Sequence, residues 1–151
     1  MLTSLVSGLF YGYQCSVING LGALADKEYL SAFQSINKAI LNPTFMLSFM
    51  GSLIILPVIS YMTFKSGSGL IFPCVLTATI LYIVGVFGVT MFYNVPLNEK
   101  VAAFDIQNAT EAQLRIMRSG FEGSWNKWHL IRTMAAVACV ISLIIPLIKK
   151  L

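Results

Sequence analysis

The chain has 151 residues, of which 57 % are hydrophobic and 11 % charged, and its mean hydropathy is +0.79. That is too apolar for a soluble domain, and the apolar runs are continuous rather than alternating, so membrane helices are expected and a β-barrel is not. The net charge of +4 sits at helix ends, where snorkelling and topology account for it, and no nucleic-acid partner is implied.

One unit over residues 1–151 is predicted, since no polar linker or change of composition divides the chain. The expected fold is all-α: an integral membrane four-helix bundle with short amphipathic helices in the loops on one side. Its spans lie at about 2–25, 44–64, 70–93 and 125–148. The first run has no basic leader or small-residue cleavage site and reads as a retained span. It carries Ser4, Gly8, Gly12, Ser16 and Gly20 at four-residue steps, a pattern that lets helix backbones approach closely. Asp26 to Asn42 reads as an amphipathic helix, with Tyr29, Phe33, Ile36 and Ile40 at helical spacing. Asn42 before Pro43 suits an N-cap followed by proline in the first turn. Spans two and three are joined by Lys65-Ser-Gly-Ser-Gly69, long enough only for a tight antiparallel turn.

Beyond span three, Asn94 suits a helix C-cap and Asn98 an N-cap for a helix starting at Glu99. Thr110-Glu-Ala-Gln113 is a capping-box signature for another helix, which Gly120 is expected to stop. The last apolar run, Met134 to Ile148, reaches only about 22 Å against a hydrocarbon core of about 30 Å. A full span must therefore start near Trp128, which brings His129 and Arg132 to the membrane surface or below it. An arginine costs about 2.5–3.5 kcal/mol at the bilayer centre, so Arg132 should face protein or trapped water. Its expected partners are Glu122, Glu99 or helix-end carbonyls. Cys15, Cys74 and Cys139 fall in three different apolar runs and read as small core residues rather than a disulfide framework.

With four spans, both termini and the short hinge lie on one side and the two longer connections on the other. The loop side carries Lys27, Lys38, Lys100, Arg115, Arg118, Lys127 and Arg132, against Lys65, Lys149 and Lys150. The positive-inside rule then places the loops in the cytoplasm. This topology gathers Asn37 and Asn42, Asn94 and Asn98, and Trp125, Asn126, Trp128, His129 and Arg132 at one end. Asn19 enters from the same side, and these polar groups with aromatic walls have the form of a small-molecule pocket. Trp125 and Trp128 also suit an interfacial aromatic belt. His129, beside a cation, is the candidate general base. Glu122, Asn126 and His129 share a helical face but make too thin a set for a metal site.

The motifs Ser7-Gly-Leu-Phe-Tyr-Gly12, Phe33-Gln-Ser-Ile-Asn37, Asn94-Val-Pro-Leu-Asn98 and Trp125-x-x-Trp128 with Arg132 occur in that order. Together the chain resembles the anthrone oxygenase-like family of small four-helix membrane proteins. The resemblance implies oxidation of an anthrone to an anthraquinone by O2, with no cofactor. It gives His129 the role of base, and Arg132, Asn94 and Asn98 the task of stabilising the anion. Trp125 and Trp128 become walls against a planar aromatic substrate, with Asn126, Asn37 and Asn19 around it. The expected setting is a bacterial inner membrane, with lipid around the protein and a homo-oligomer or larger membrane complex as partner.

Two functions stay open on the residues. One is an oxygenase for an anthrone-like or quinol-like substrate. The other is a non-enzymatic membrane protein, either an accessory subunit or a binder of a small hydrophobic ligand. A transporter fits less well, because no span is broken at mid-membrane by a charge.

Overall fold

A computed structural model describes residues 1–148, so Lys149 and Lys150, counted above on the terminal side, lie outside the described residues. Five helices make up the fold. Helix α1 covers residues 2–22, α2 Asp26–Ile40, α3 Pro43–Lys65, α4 Ile71–Ala102 and α5 Glu111–Ile148. Three of them, α3, α4 and α5, are long and apolar enough to cross a membrane. Helix α1 reaches about 30 Å at the usual rise. Tyr11, Tyr13, Gln14, Ser16 and Asn19 dilute its hydropathy, however, and it is not counted with the three. Large apolar side chains such as Ile54, Val58, Phe92 and Met134 stand exposed along these helices. A soluble protein rarely leaves so much apolar surface uncovered, and a bilayer accounts for it.

Local chemistry sets the helix ends. The Asn42 side chain accepts from the Phe45 amide at 3.0 Å, and Pro43 occupies the first turn of α3. The α3–α4 hinge turns through positive φ at Gly67 (63°) and Gly69 (39°), which explains the glycines there. The Thr110–Gln113 capping box opens α5 as expected, Gln113 Oε1 accepting from the Thr110 amide at 2.8 Å.

Three expected helix boundaries are absent. Asn94 ends no helix and Asn98 starts none, because α4 runs on through Pro96 to Ala102. Wide π turns over Leu81–Gly88 and Thr90–Asn94 precede the proline. A widened turn makes room for a ring that would otherwise clash with the carbonyl four residues back. Nor does Gly120 stop α5, whose 38 residues run on to Ile148. Phe121 and Trp125, both buried just beyond it, hold the chain against α1 and α2, and that packing outweighs the glycine's local freedom. Of the cysteines only Cys139 is buried; Cys15 is exposed.

The interior has two apolar centres. One, built on Val6, Phe10, Phe49, Tyr82 and Ala136, lies among α1, α3, α4 and α5. The other, built on Leu30, Phe33, Val101, Phe121 and Trp125, lies under the amphipathic helix α2. Helix α2 is tied down by Gln34, whose amide donates to the Val101 and Phe104 carbonyls at 2.7 and 3.1 Å. Helices α4 and α5 approach so closely that a Cβ on Gly85 would lie 2.5 Å from the Ala135 Cβ. Gly85→Ala should therefore lower stability by about 1–3 kcal/mol, as overpacking does. Thermal melting in detergent checks this, and an unchanged midpoint would mean that the two helices can part without loss.

Candidate functional site

Between the two apolar centres sit the buried polar groups of α4 and α5: Asn94, His129, Arg132 and Thr133. They border or underlie a cavity of about 330 Å³ lined by residues of all five helices. Trp125, His129 and Arg132 share the inner face of α5, as their i, i+4, i+7 spacing predicts, and all three line the cavity. Asn37 and Asn42 line it from the α2–α3 side and Asn98 from α4.

The arginine is held without a counter-charge. Arg132 is 8 % exposed, and among the described residues no carboxylate lies within ion-pair distance of it. Its Nε and Nη2 donate to His129 Nδ1 at 3.1 and 2.9 Å, and Nη1 donates to Thr90 Oγ1 at 3.3 Å. The guanidinium also lies 4.4 Å from the centre of the Phe10 ring and 5.4 Å from that of Trp125. The expected partners Glu99 and Glu122 are elsewhere. Glu122 accepts from Arg118 Nε at 2.8 Å, one turn from the start of α5's apolar half.

His129 is fixed at both ring nitrogens. Because Nδ1 accepts from Arg132, the imidazole is neutral with its proton on Nε2, and Nε2 donates to the Phe10 carbonyl at 3.2 Å. The Phe10 carbonyl also accepts from the Tyr13 amide, where α1 passes into a π turn over Tyr13–Val17. The imidazole lies flat on Trp125, 4.9 Å between centres at 7°. Trp125 is pinned in turn, donating from Nε1 to Asn98 Oδ1 at 2.7 Å.

Four of the sequence-derived candidates stand outside the cavity wall. Asn94 is fully buried and donates to the Trp125 carbonyl at 3.4 Å, so it supports the wall from behind. Trp128 stacks on Tyr93, 3.6 Å away, on the outer side of α5. Asn19 is exposed and bonds its own helix through the Cys15 carbonyl. Asn126 does not border the cavity either. In exchange the cavity gains Phe10, Tyr13 and Thr90. Thr90 left no signal in the sequence, whereas Tyr13 lies one residue past the Ser7–Gly12 motif, where its spacing from Phe10 would have placed it on the same helix face.

Outside the apolar half, Arg118 locks the loop end. It donates to the Gly22 and Leu24 carbonyls at the end of α1 (2.9 and 2.7 Å), to Asp26 (3.1 Å) and to Glu122. The Glu122 bond, followed by Asp26, raises the pKa of this guanidinium further above its ordinary value. Arg118→Lys should lower stability by about 2 kcal/mol, because an ammonium cannot reach carbonyls and carboxylates on several sides at once. A melting midpoint unchanged by that substitution would show that charge alone suffices.

These features define a class: a helical membrane-type protein with a buried, acid-free arginine at the end of an aromatic cavity. The sequence profile of the anthrone oxygenase family matches residues 45–142, and the chain belongs to that family. The match begins beyond α1 and α2, so Phe10, Tyr13, Phe33 and Asn37 lie outside the matched stretch. Neither a curated protein nor a solved structure matches the chain.

Proposed function

We propose that this protein is a membrane oxygenase that takes an electron-rich, anthrone-like or quinol-like aromatic as its oxyanion. In this reading α1 is a fourth span, packed against α5 and α3. The observation that carries the reading is the Arg132 guanidinium, buried beside an aromatic cavity with no carboxylate among the described residues to neutralise it. A buried cation left without an anion is a costly arrangement that an anionic ligand relieves. For an anthrone, the ring methylene loses two hydrogens and gains an oxygen atom from O2, and the second oxygen atom leaves as water.

Arg132 would hold the oxyanion, and the edge of the Trp125 ring would meet the substrate ring. His129 can take the substrate proton only when its Nδ1 is released. A substrate oxygen that draws the guanidinium onto itself frees that lone pair, so binding and base activation would be coupled.

The engagement of both His129 nitrogens favours a second reading, a binder of a small hydrophobic anion without chemistry. Oxygen uptake by the purified protein with anthrone separates the two. Uptake well above spontaneous oxidation, lost in folded Arg132→Ala and His129→Ala proteins, supports the oxygenase. A rate at the spontaneous baseline for all three removes it and leaves the binder.

A further inference from the structure

The cavity carries its one charged group at the buried end, where Arg132 gathers with His129 and Thr90. Its exposed lining residues are Leu9, Ala39, Leu41 and Asn42, and the Asn42 side chain is engaged by the Phe45 amide and the Ala39 and Ile40 carbonyls. Leu41 and Asn42 form the turn between α2 and α3, Ala39 lies in the last turn of α2, and Leu41 is 69 % exposed. That turn immediately precedes Pro43, where the first of the three membrane-length helices begins. The mouth therefore lies at the level of the membrane surface, framed by Leu9, Ala39 and Leu41 and by Asn42, whose amide is taken up in capping bonds rather than turned to an incoming ligand. An aqueous entrance for a free anion would be framed by polar or basic groups.

We propose that the ligand is a membrane-dissolved amphiphile, a planar aromatic oxyanion bearing an apolar tail, which enters head-first from the lipid through the α2–α3 mouth. Its head rests against Arg132 and the edge of the Trp125 ring, and its tail passes out between Leu9 and Leu41 into the bilayer. The planar head follows from the buried end, where Trp125 and His129 lie parallel and Phe10 and Tyr13 close the sides. The tail follows from the apolar mouth. This rests on the proposed oxyanion site but not on its chemistry.

The test uses the full chain in lipid nanodiscs with Trp128→Phe, which leaves Trp125 as the single tryptophan reporter. The probes are 2-hydroxy-3-methyl-1,4-naphthoquinone and its 3-undecyl analogue, both anionic at neutral pH and without an oxidisable methylene. Quenching of Trp125 is followed against probe per lipid. Both midpoints should agree within about threefold, because a tail leaving by an open mouth stays in apolar surroundings. Arg132→Gln should weaken both at least about tenfold, and Ala39→Trp should weaken only the undecyl probe by a similar factor. Rejection of the undecyl probe by the unsubstituted mouth overturns the proposal. So does an Ala39→Trp effect that is equal for both probes or absent. Displacement by dodecanoate as effective as by the naphthoquinones overturns the aromatic head. If the probes bind as expected while anthrone oxidation stays at baseline, the oxygenase reading fails and this one stands.

Discussion

His129→Phe is expected to lower stability by about 3 kcal/mol, and adding Arg132→Met should restore most of that loss. Phenylalanine keeps a ring of similar size against Trp125 and Phe10. What it removes is the acceptor to which two of the three Arg132 nitrogens are directed, at 3.1 and 2.9 Å. The remaining bond, to Thr90, is longer at 3.3 Å. A buried guanidinium stripped of its acceptor keeps its desolvation cost, whereas removing cation and acceptor together leaves an apolar contact. Thermal or denaturant melting of the two single variants and the double variant forms a complete cycle. If the double variant is as unstable as the sum of the singles, His129 contributes through its Nε2 bond to the Phe10 carbonyl, and its bond to Arg132 is incidental.

The second large effect falls on turnover. Arg132→Gln should reduce the rate of anthrone oxidation about 10²–10³-fold, the usual consequence of removing one preorganised group from a developing oxyanion. Arg132→Lys should lose less, about tenfold, since it keeps the charge but not the planar fork that reaches His129 and Thr90 together. Because the charge on the substrate oxygen grows as its proton leaves, the loss should appear in kcat more than in KM. Steady-state oxygen uptake over a range of anthrone concentrations measures both. A raised KM with kcat unchanged would show that Arg132 only holds the substrate.

The inner face of α5 illustrates how far the sequence reaches. Trp125, His129 and Arg132 follow helical spacing, so their shared face was readable from their numbers. Trp128 fits the same face nearly as well by that count. At about 100° per residue it lies some 60° to one side of Trp125, within the width of a helix face. Which side faces the cavity depends on the neighbouring helix, and there Tyr93 takes the Trp128 ring. Arg132's partner was unreadable for a similar reason. Glu122 lies ten residues back, about 15 Å along the helix, and Arg118 one turn from it is nearer. The boundaries expected at Asn98 and Gly120 failed because capping preferences are weak beside the burial of Val101, Phe121 and Trp125.

By itself, then, the sequence determined the class of protein and the end at which its site lies. Continuous apolar runs leave helices as the only spanning solution, and polar residues confined to one side must meet there. The tertiary structure alone decided that Arg132 answers to His129 rather than to an acid, that α1 and α2 supply half of the cavity wall, and that the mouth is apolar. Those facts depend on contacts between residues up to 119 positions apart, and helical periodicity carries no record of which helix stands next to which.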